Sequence, residues 1–163
     1  MTSTLELSVI GNSTISALLD KDARIVWGCF PRFDGDPTFC ALLNNGGEDE
    51  TGSFNITLFD QVRSEQQYRR NSAIVVTTLF DGNGSAVEIT DFAPRFKQSG
   101  RVFRPTMLVR HIRPLNGTPR VCIRLRPAFD HGAQRPERTR GSNHIRYVMP
   151  DLTLRLTTDA AIS

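Results

Sequence analysis

Cysteine is scarce: Cys29, Cys40 and Cys122 are the whole complement of a 163-residue chain. An odd count without short-range spacing excludes the disulfide framework that staples small secreted domains. The three are expected to be reduced thiols of a cytoplasmic protein, buried as small apolar groups. Long apolar runs are lacking too, which excludes a membrane-spanning helix. The opening Met1-Thr2-Ser3-Thr4-Leu5-Glu6 has neither a basic head nor an apolar stretch, so no signal peptide is read there. Four Asn-X-Ser/Thr sequons, at Asn12, Asn55, Asn83 and Asn116, are accordingly read as turn and strand composition rather than glycan sites. A nucleophile elbow, a phosphate-binding glycine loop and a zinc-binding helix motif are all missing.

What remains is ordinary for a soluble globular protein: 39% hydrophobic and 23% charged residues, with a formal charge of +3. Length allows one domain, residues 1–163, large enough for a real core. The mild positive charge bears on solubility more than on the choice of partner.

Periodicity points to sheet nearly everywhere. Arg120–Arg126 places Val121, Ile123 and Leu125 on one face and arginines on the other. Such alternation marks a strand with one buried face. Leu152–Thr157 and Phe54–Leu58 repeat the pattern, so Leu152, Leu154 and Leu156 are expected inside and Arg120, Arg124 and Arg126 outside. Ile74–Phe80 is β-branched and apolar on both sides, which suits a central strand. Asn116-Gly117 favours a hairpin turn, as do Asp81-Gly82-Asn83-Gly84 and Lys21-Asp22. Only Thr38–Asn44 has helical spacing, enough for a turn or two. The polar stretch Phe129–Asn143 reads as a long loop. The fold expected is all-β, an antiparallel sandwich with one short helix. The chain stops just after a strand, which suggests that the natural sequence continues.

The densest chemical segment is Trp27–Pro37, where a strand runs into a loop carrying Arg32, Phe33, Asp34 and Asp36. Two readings stay open. Aromatic faces, a guanidinium and carboxylates are what sugar recognition uses. Equally, Trp27 and Phe33 can belong to the core while Arg32 and Asp34 brace a loop. Asp34 and Asp36 as an acid–base pair is disfavoured, because residues two apart rarely flank a substrate. His111, His131 and His144 lack zinc-ligand spacing with each other or the cysteines, so neither a metal nor another cofactor is expected. Arginines crowd residues 101–146 and could follow a phosphate backbone. The strand faces lack interleaved aromatics, which argues against nucleic acid and for a solvated or docked face.

Residues 5–44 resemble the opening of bacterial members of glycoside hydrolase family 15, which includes glucoamylases, glucodextranases and trehalases. The segments that carry the likeness are Ile10-Gly11, Ile15–Leu19, Asp22–Trp27, Cys29-Phe30-Pro31-Arg32-Phe33-Asp34 and Phe39–Leu43. Further on, Glu88–Pro94 is similar to the family's V-x-D-F-x-P strand end and Phe129-Asp130-His131-Gly132 to its F-D-Y-G. Ala23 stands where a turn glycine is usual, Val26 where Asp is common, and Pro37 one place late. The resemblance implies a supersandwich-like N-terminal domain, here incomplete, whose partner is a C-terminal (α/α)6 barrel of the same polypeptide. The barrel would supply two glutamates that hydrolyse α-glucosidic bonds of an α-glucan or α-glucoside with inversion. No catalytic residue is assigned within this chain. Trp27, Arg32, Phe33 and Asp34 are the candidates for the substrate rim or the interdomain contact. A stand-alone carbohydrate-binding module, or a basic nucleic-acid-associated β protein, is the alternative. An exposed apolar area is expected wherever the rest of the enzyme would sit.

Overall fold

The computed structural model describes residues 6–44 and 50–162. It is all-β and antiparallel, apart from one 3-10 turn at Ala41–Asn44. One sheet runs in the order β1 (Ser8–Gly11), β2 (Ser16–Leu19), β3 (Ile25–Cys29), β5 (Ser53–Leu58), β12 (Val121–Arg126), with β4 (Pro37–Phe39) also paired to β3. The second is β11 (Val109–Asn116), β8 (Ala86–Phe92), β7 (Val75–Asp81), β6 (Gln61–Tyr68). A hairpin of β9 (Phe96–Gln98) and β10 (Arg101–Phe103) stands apart. A three-stranded sheet of β13 (Glu137–Arg140), β14 (His144–Val148) and β15 (Thr153–Thr157) forms a separate ladder that reaches the first sheet through the Tyr147 hydroxyl on the Leu125 carbonyl.

The first two sheets pack as a sandwich around two apolar clusters. Ile10, Ile15, Leu19, Ile25 and Phe39 meet Val75 in one; Ile56 and Leu58 meet Leu79, Val87 and Ile89 in the other. Side chains alternate across each strand, so period-two sequences bury one face. As its composition suggests, β7 lies inside its sheet, with Val75, Thr77 and Leu79 buried and the intervening side chains half-buried.

A buried ion pair spans the two clusters. Arg110 on β11 faces Asp91 on β8 directly across the ladder, and Nε and Nη2 donate to the two carboxylate oxygens at 2.8 and 3.1 Å. Nη1 donates to the Phe54 carbonyl at 2.7 Å and Nη2 to the Ala23 carbonyl, while the guanidinium lies over the Phe54 ring. Only 4% of the Arg110 side chain and none of Asp91 is exposed. One cation thus ties the second sheet to two elements of the first. Ala23, which replaces the turn glycine, adopts φ +59° there and is fully buried.

Along one side the edges are sealed by side chains. The Tyr68 hydroxyl on β6 takes the Val9 N–H at 2.7 Å and donates to the Val9 carbonyl at 3.1 Å. Gln66 reaches Ser8, Thr77 and the Asp20 carbonyl. Edge groups engaged in this way are closed to strand addition.

Several expectations are corrected. The short helix expected over Thr38–Asn44 is confined to the 3-10 turn Ala41–Asn44: Pro37–Phe39 is strand paired with β3, and the amides of Cys40 and Ala41 both donate to the Gly52 carbonyl at 2.8 and 3.1 Å. Sheet pairing holds the first part of the segment extended, and the helical turn starts only beyond it. Gly52 needs to be glycine, with φ +71° and a Cβ position 2.5 Å from Cys40 Sγ. Phe129–Asn143 is not all loop, because Glu137–Arg140 pairs with β14; all four of its residues are exposed, which is why it reads as polar. Asn116-Gly117 does not close a hairpin but crosses between sheets, since β11 pairs with β8 and β12 with β5. Val121 is 39% exposed, and Ile123 and Leu125 are half-buried, because β12 is a sheet edge. Leu152, Leu154 and Leu156 are likewise half-buried, the last two on the edge strand β15. Arg120, Arg124 and Arg126 do point outward. Cys29 and Cys40 are buried as expected, but Cys122 is exposed.

Candidate functional site

The segment that joins β3 to β4 emerges at one end of the sandwich. Phe30 ends the buried run and packs edge-on against Phe39, with centroids 5.9 Å apart. The Phe30–Pro31 peptide is cis, and the chain from Pro31 to Asp36 is exposed throughout. Arg32 and Asp34 form a bidentate fork on this loop, with Nε to Oδ1 at 2.9 Å and Nη2 to Oδ2 at 2.8 Å. Between them Phe33 is 63% exposed, so it is not a core residue. The hydrogen bond from Arg32 holds the Asp34 carboxyl below its ordinary range, and the same bond raises the Arg32 guanidinium.

Trp27 is placed differently. It pairs with Leu18, which pairs with Val9, while Gly28 faces the core ring of Phe39. Directly paired residues share a face, so Trp27 is half-buried on the outer face of the sheet, in a row with Leu18 and Val9. The four candidates therefore separate: Arg32, Phe33 and Asp34 form the loop tip, and Trp27 belongs to the strand below it.

Asp36 supplies the contact that the sequence concealed. Its carboxylate accepts the amides of Asp130 at 2.6 Å and His131 at 2.9 Å, and His131 Nδ1 lies 3.3 Å from Oδ1. Both residues have positive φ, 55° and 52°, which turns their two N–H groups toward one point. Two adjacent amides aimed this way make an anion-binding concavity. The Asp-Gly-Asp loop and the Phe129–Gly132 loop are thereby fastened together. Asp34 and Asp36 are both engaged with other partners, which leaves no acid–base pair between them. Burial first, then the nearby Asp36 and Asp34 charges, pushes the Cys29 thiol upward; burial and Asp36 do the same to Cys40. Thiols so placed stay protonated and inert.

Among the described residues no group of three or more His, Cys, Asp or Glu side chains is arranged to hold a metal. His111 lies on β11, His131 on the tethered loop and His144 on β14. No helix of the described residues is long and apolar enough to cross a membrane. A surface depression of about 730 Å³ lies elsewhere, bounded by Arg110, Asn143 and Asp159, and contains no aromatic side chain.

The profile of the family described as trehalase-like, N-terminal, matches residues 2–153. The chain belongs to this trehalase-like N-terminal family. Trehalase 1 of Sulfolobus acidocaldarius is 30% identical over 148 residues, covering 88% of this chain and 23% of the relative. A trehalase of Thermoplasma volcanium is 26% identical over 129 residues, covering 78% of this chain and 20% of its own. The trehalase of Thermoplasma acidophilum is 27% identical over 121 residues, covering 73% and 20%. This trehalase-like N-terminal chain spans roughly a fifth to a quarter of the length of these curated relatives. No solved structure matches it at a significant level. The broader resemblance to family 15 narrows here to the trehalase-like N-terminal family, and its motifs acquire physical roles. The Pro31-Arg32-Phe33-Asp34 string is the exposed fork, Asp91 is half of the buried pair, and Phe129–Gly132 is the loop that Asp36 fastens.

Proposed function

We propose that this chain is the non-catalytic N-terminal domain of a longer, cytoplasmic trehalase-like hydrolase acting on an α-glucoside. Its partner is a catalytic (α/α)6 domain of the same polypeptide, and its Arg32–Asp34 loop lines the rim of that domain's active site. Membership of a family defined by an N-terminal segment supports this, as does similarity to proteins named trehalases that extend far beyond the matched region. The observation that carries the rim assignment is the loop tip itself. An aromatic ring, a guanidinium and a carboxylate are all exposed there, on a segment that Asp36 ties down at its far end.

The fork is suited to a polyhydroxylated ligand. The two residues fix each other's orientation, leaving outer lone pairs and N–H groups for sugar hydroxyls, while Phe33 can cover a C–H face. Three free thiols are consistent with a reducing compartment.

The test replaces Arg32 by Ala in a trehalase-length polypeptide carrying this chain. A rim role predicts that kcat/KM for trehalose falls by roughly tenfold while the melting temperature holds, since a surface fork contributes little to folding. Unchanged kcat/KM in a folded variant would leave the loop as scaffold only.

A further inference from the structure

Among the described residues the Phe96–Phe103 hairpin adds no strand to either layer of the sandwich. Among the described residues β9 and β10 pair only with each other, through Phe96–Phe103, Lys97–Val102 and Gln98–Arg101. An isolated two-stranded hairpin is marginal in water, so something must hold it. Asn12 does this at the base. Its side chain is 1% exposed, and its amide nitrogen donates to the carbonyls of Pro94 at 3.0 Å and Pro105 at 2.8 Å. These two residues flank the hairpin. The Asn12 side-chain Oδ1 accepts the amides of Thr14 and Ile15, so the pin is itself fixed.

What is held out is apolar and cationic. The Phe96 and Phe103 rings stack at 5.5 Å with an interplanar angle of 13°, yet remain 48% and 43% exposed. Val102, on the opposite face of the hairpin, and Met107, just past it, are exposed as well. Residues 95–107 include Arg95, Lys97, Arg101 and Arg104 and no acidic residue. An apolar patch of this kind, built on aromatics, is the usual signature of an interaction site.

We propose that this hairpin is the arm by which the domain seats on the catalytic portion of a trehalase-length polypeptide, in an apolar recess rimmed by carboxylates. The proposal rests on the reading of the chain as an N-terminal domain. A second copy is a poor occupant, because four cations would meet four cations. Nucleic acid fits less well, since each ring already gives one face to the other, which leaves two separated faces instead of a continuous stacking platform. The relatives extend far beyond the matched segment, which leaves ample polypeptide to provide the recess.

The test uses Sulfolobus trehalase 1 with its matched N-terminal segment replaced by residues 1–163, compared with the 163-residue chain alone. Hydrogen exchange at the hairpin amides is expected to slow by about tenfold or more in the long protein. The Phe96→Ser/Phe103→Ser double variant should abolish that protection. Lys97→Glu/Arg101→Glu, which keeps the rings, should weaken it, and added salt should weaken the parent in the same direction. Equal exchange at the hairpin in both proteins, with protection appearing at another face, overturns the arm and leaves the domain reading intact. Absence of protection anywhere, with no trehalose hydrolysis, overturns both. Protection of the hairpin in the short chain by a single-stranded oligonucleotide, or by raised protein concentration, also overturns the proposal.

Discussion

Two arginine–aspartate forks among the described residues have nearly equal geometry at opposite depths. Arg110–Asp91 closes at 2.8 and 3.1 Å with almost no exposed surface; Arg32–Asp34 closes at 2.9 and 2.8 Å with side chains 70% and 53% exposed. The inner fork spends its remaining donors on carbonyls of Ala23 and Phe54, so every bond it makes joins parts of the same domain. The outer fork is local, two residues apart, and its spare hydrogen-bonding capacity faces solvent. Identical chemistry therefore serves cohesion in one place and is free for recognition in the other. Burial makes the difference, because a desolvated charge must be paired whereas a hydrated one need not be.

The largest effect should come from breaking the inner fork. Asp91→Ala leaves the Arg110 cation buried without its counter-charge and is expected to cost about 3–5 kcal/mol in a urea titration. Replacing both partners, as in Arg110→Met with Asp91→Leu, should recover most of that loss. If Asp91→Ala unfolds no more easily than the parent, the inner fork is not a clasp.

Asp36 lies between the extremes, partly exposed but bonded to another loop. Asp36→Ala should cost about 1–2 kcal/mol, as expected for losing two charge-assisted hydrogen bonds. Exchange at the Asp130 and His131 amides should accelerate, with the strands unaffected. Equal exchange in variant and parent would mean that the two loops hold together without it.

The smallest stability effect belongs to the outer fork. Arg32→Ala should leave the melting temperature of the chain unchanged, but it should move the Asp34 carboxyl. In the parent that group titrates below its ordinary value, chiefly because of the hydrogen bond from Arg32. Carbon-detected NMR should show the midpoint rising toward the ordinary value in the variant. The sign for stability follows from the lowered value. Whatever the fork contributes is present above the unfolded carboxyl range and is lost as pH falls through the folded midpoint. Solvent screening keeps it small. A parent midpoint already at the ordinary value would show that the fork is open in solution.

The two forks also mark how far the residues could be read. Arg32 and Asp34 are neighbours in sequence, so their pairing was legible, and so was the all-β sandwich, from alternation and turn residues. Asp91 stood out within a motif, but Arg110 did not, because it sits within an arginine-rich stretch that resembles a solvated surface. Only the β8–β11 register, with partners nineteen residues apart, places it inside. Asp36 was hidden for the same reason, since its loop partner is about ninety residues away. Strand periodicity told which face of β12 turns inward but not how well that face is covered, which depends on its position at a sheet edge. Of the Thr38–Asn44 segment only Ala41–Asn44 turns helically, because helical spacing is a local property. The pairing of Pro37–Phe39 with β3 that overrides it is tertiary.

Asn12 has a practical consequence for anyone producing this protein. It is the acceptor of a sequon, as is Asn55, and both side chains are buried at 1% exposure. Enzymes of a secretory host attach glycans to the emerging chain, before folding can hide either amide. A sugar on Asn12 would remove the donor that holds Pro94 and Pro105, and one on Asn55 would have to fit between packed strands. Material from a glycosylating secretory system should consequently misfold, whereas the same gene expressed without that machinery should give folded protein.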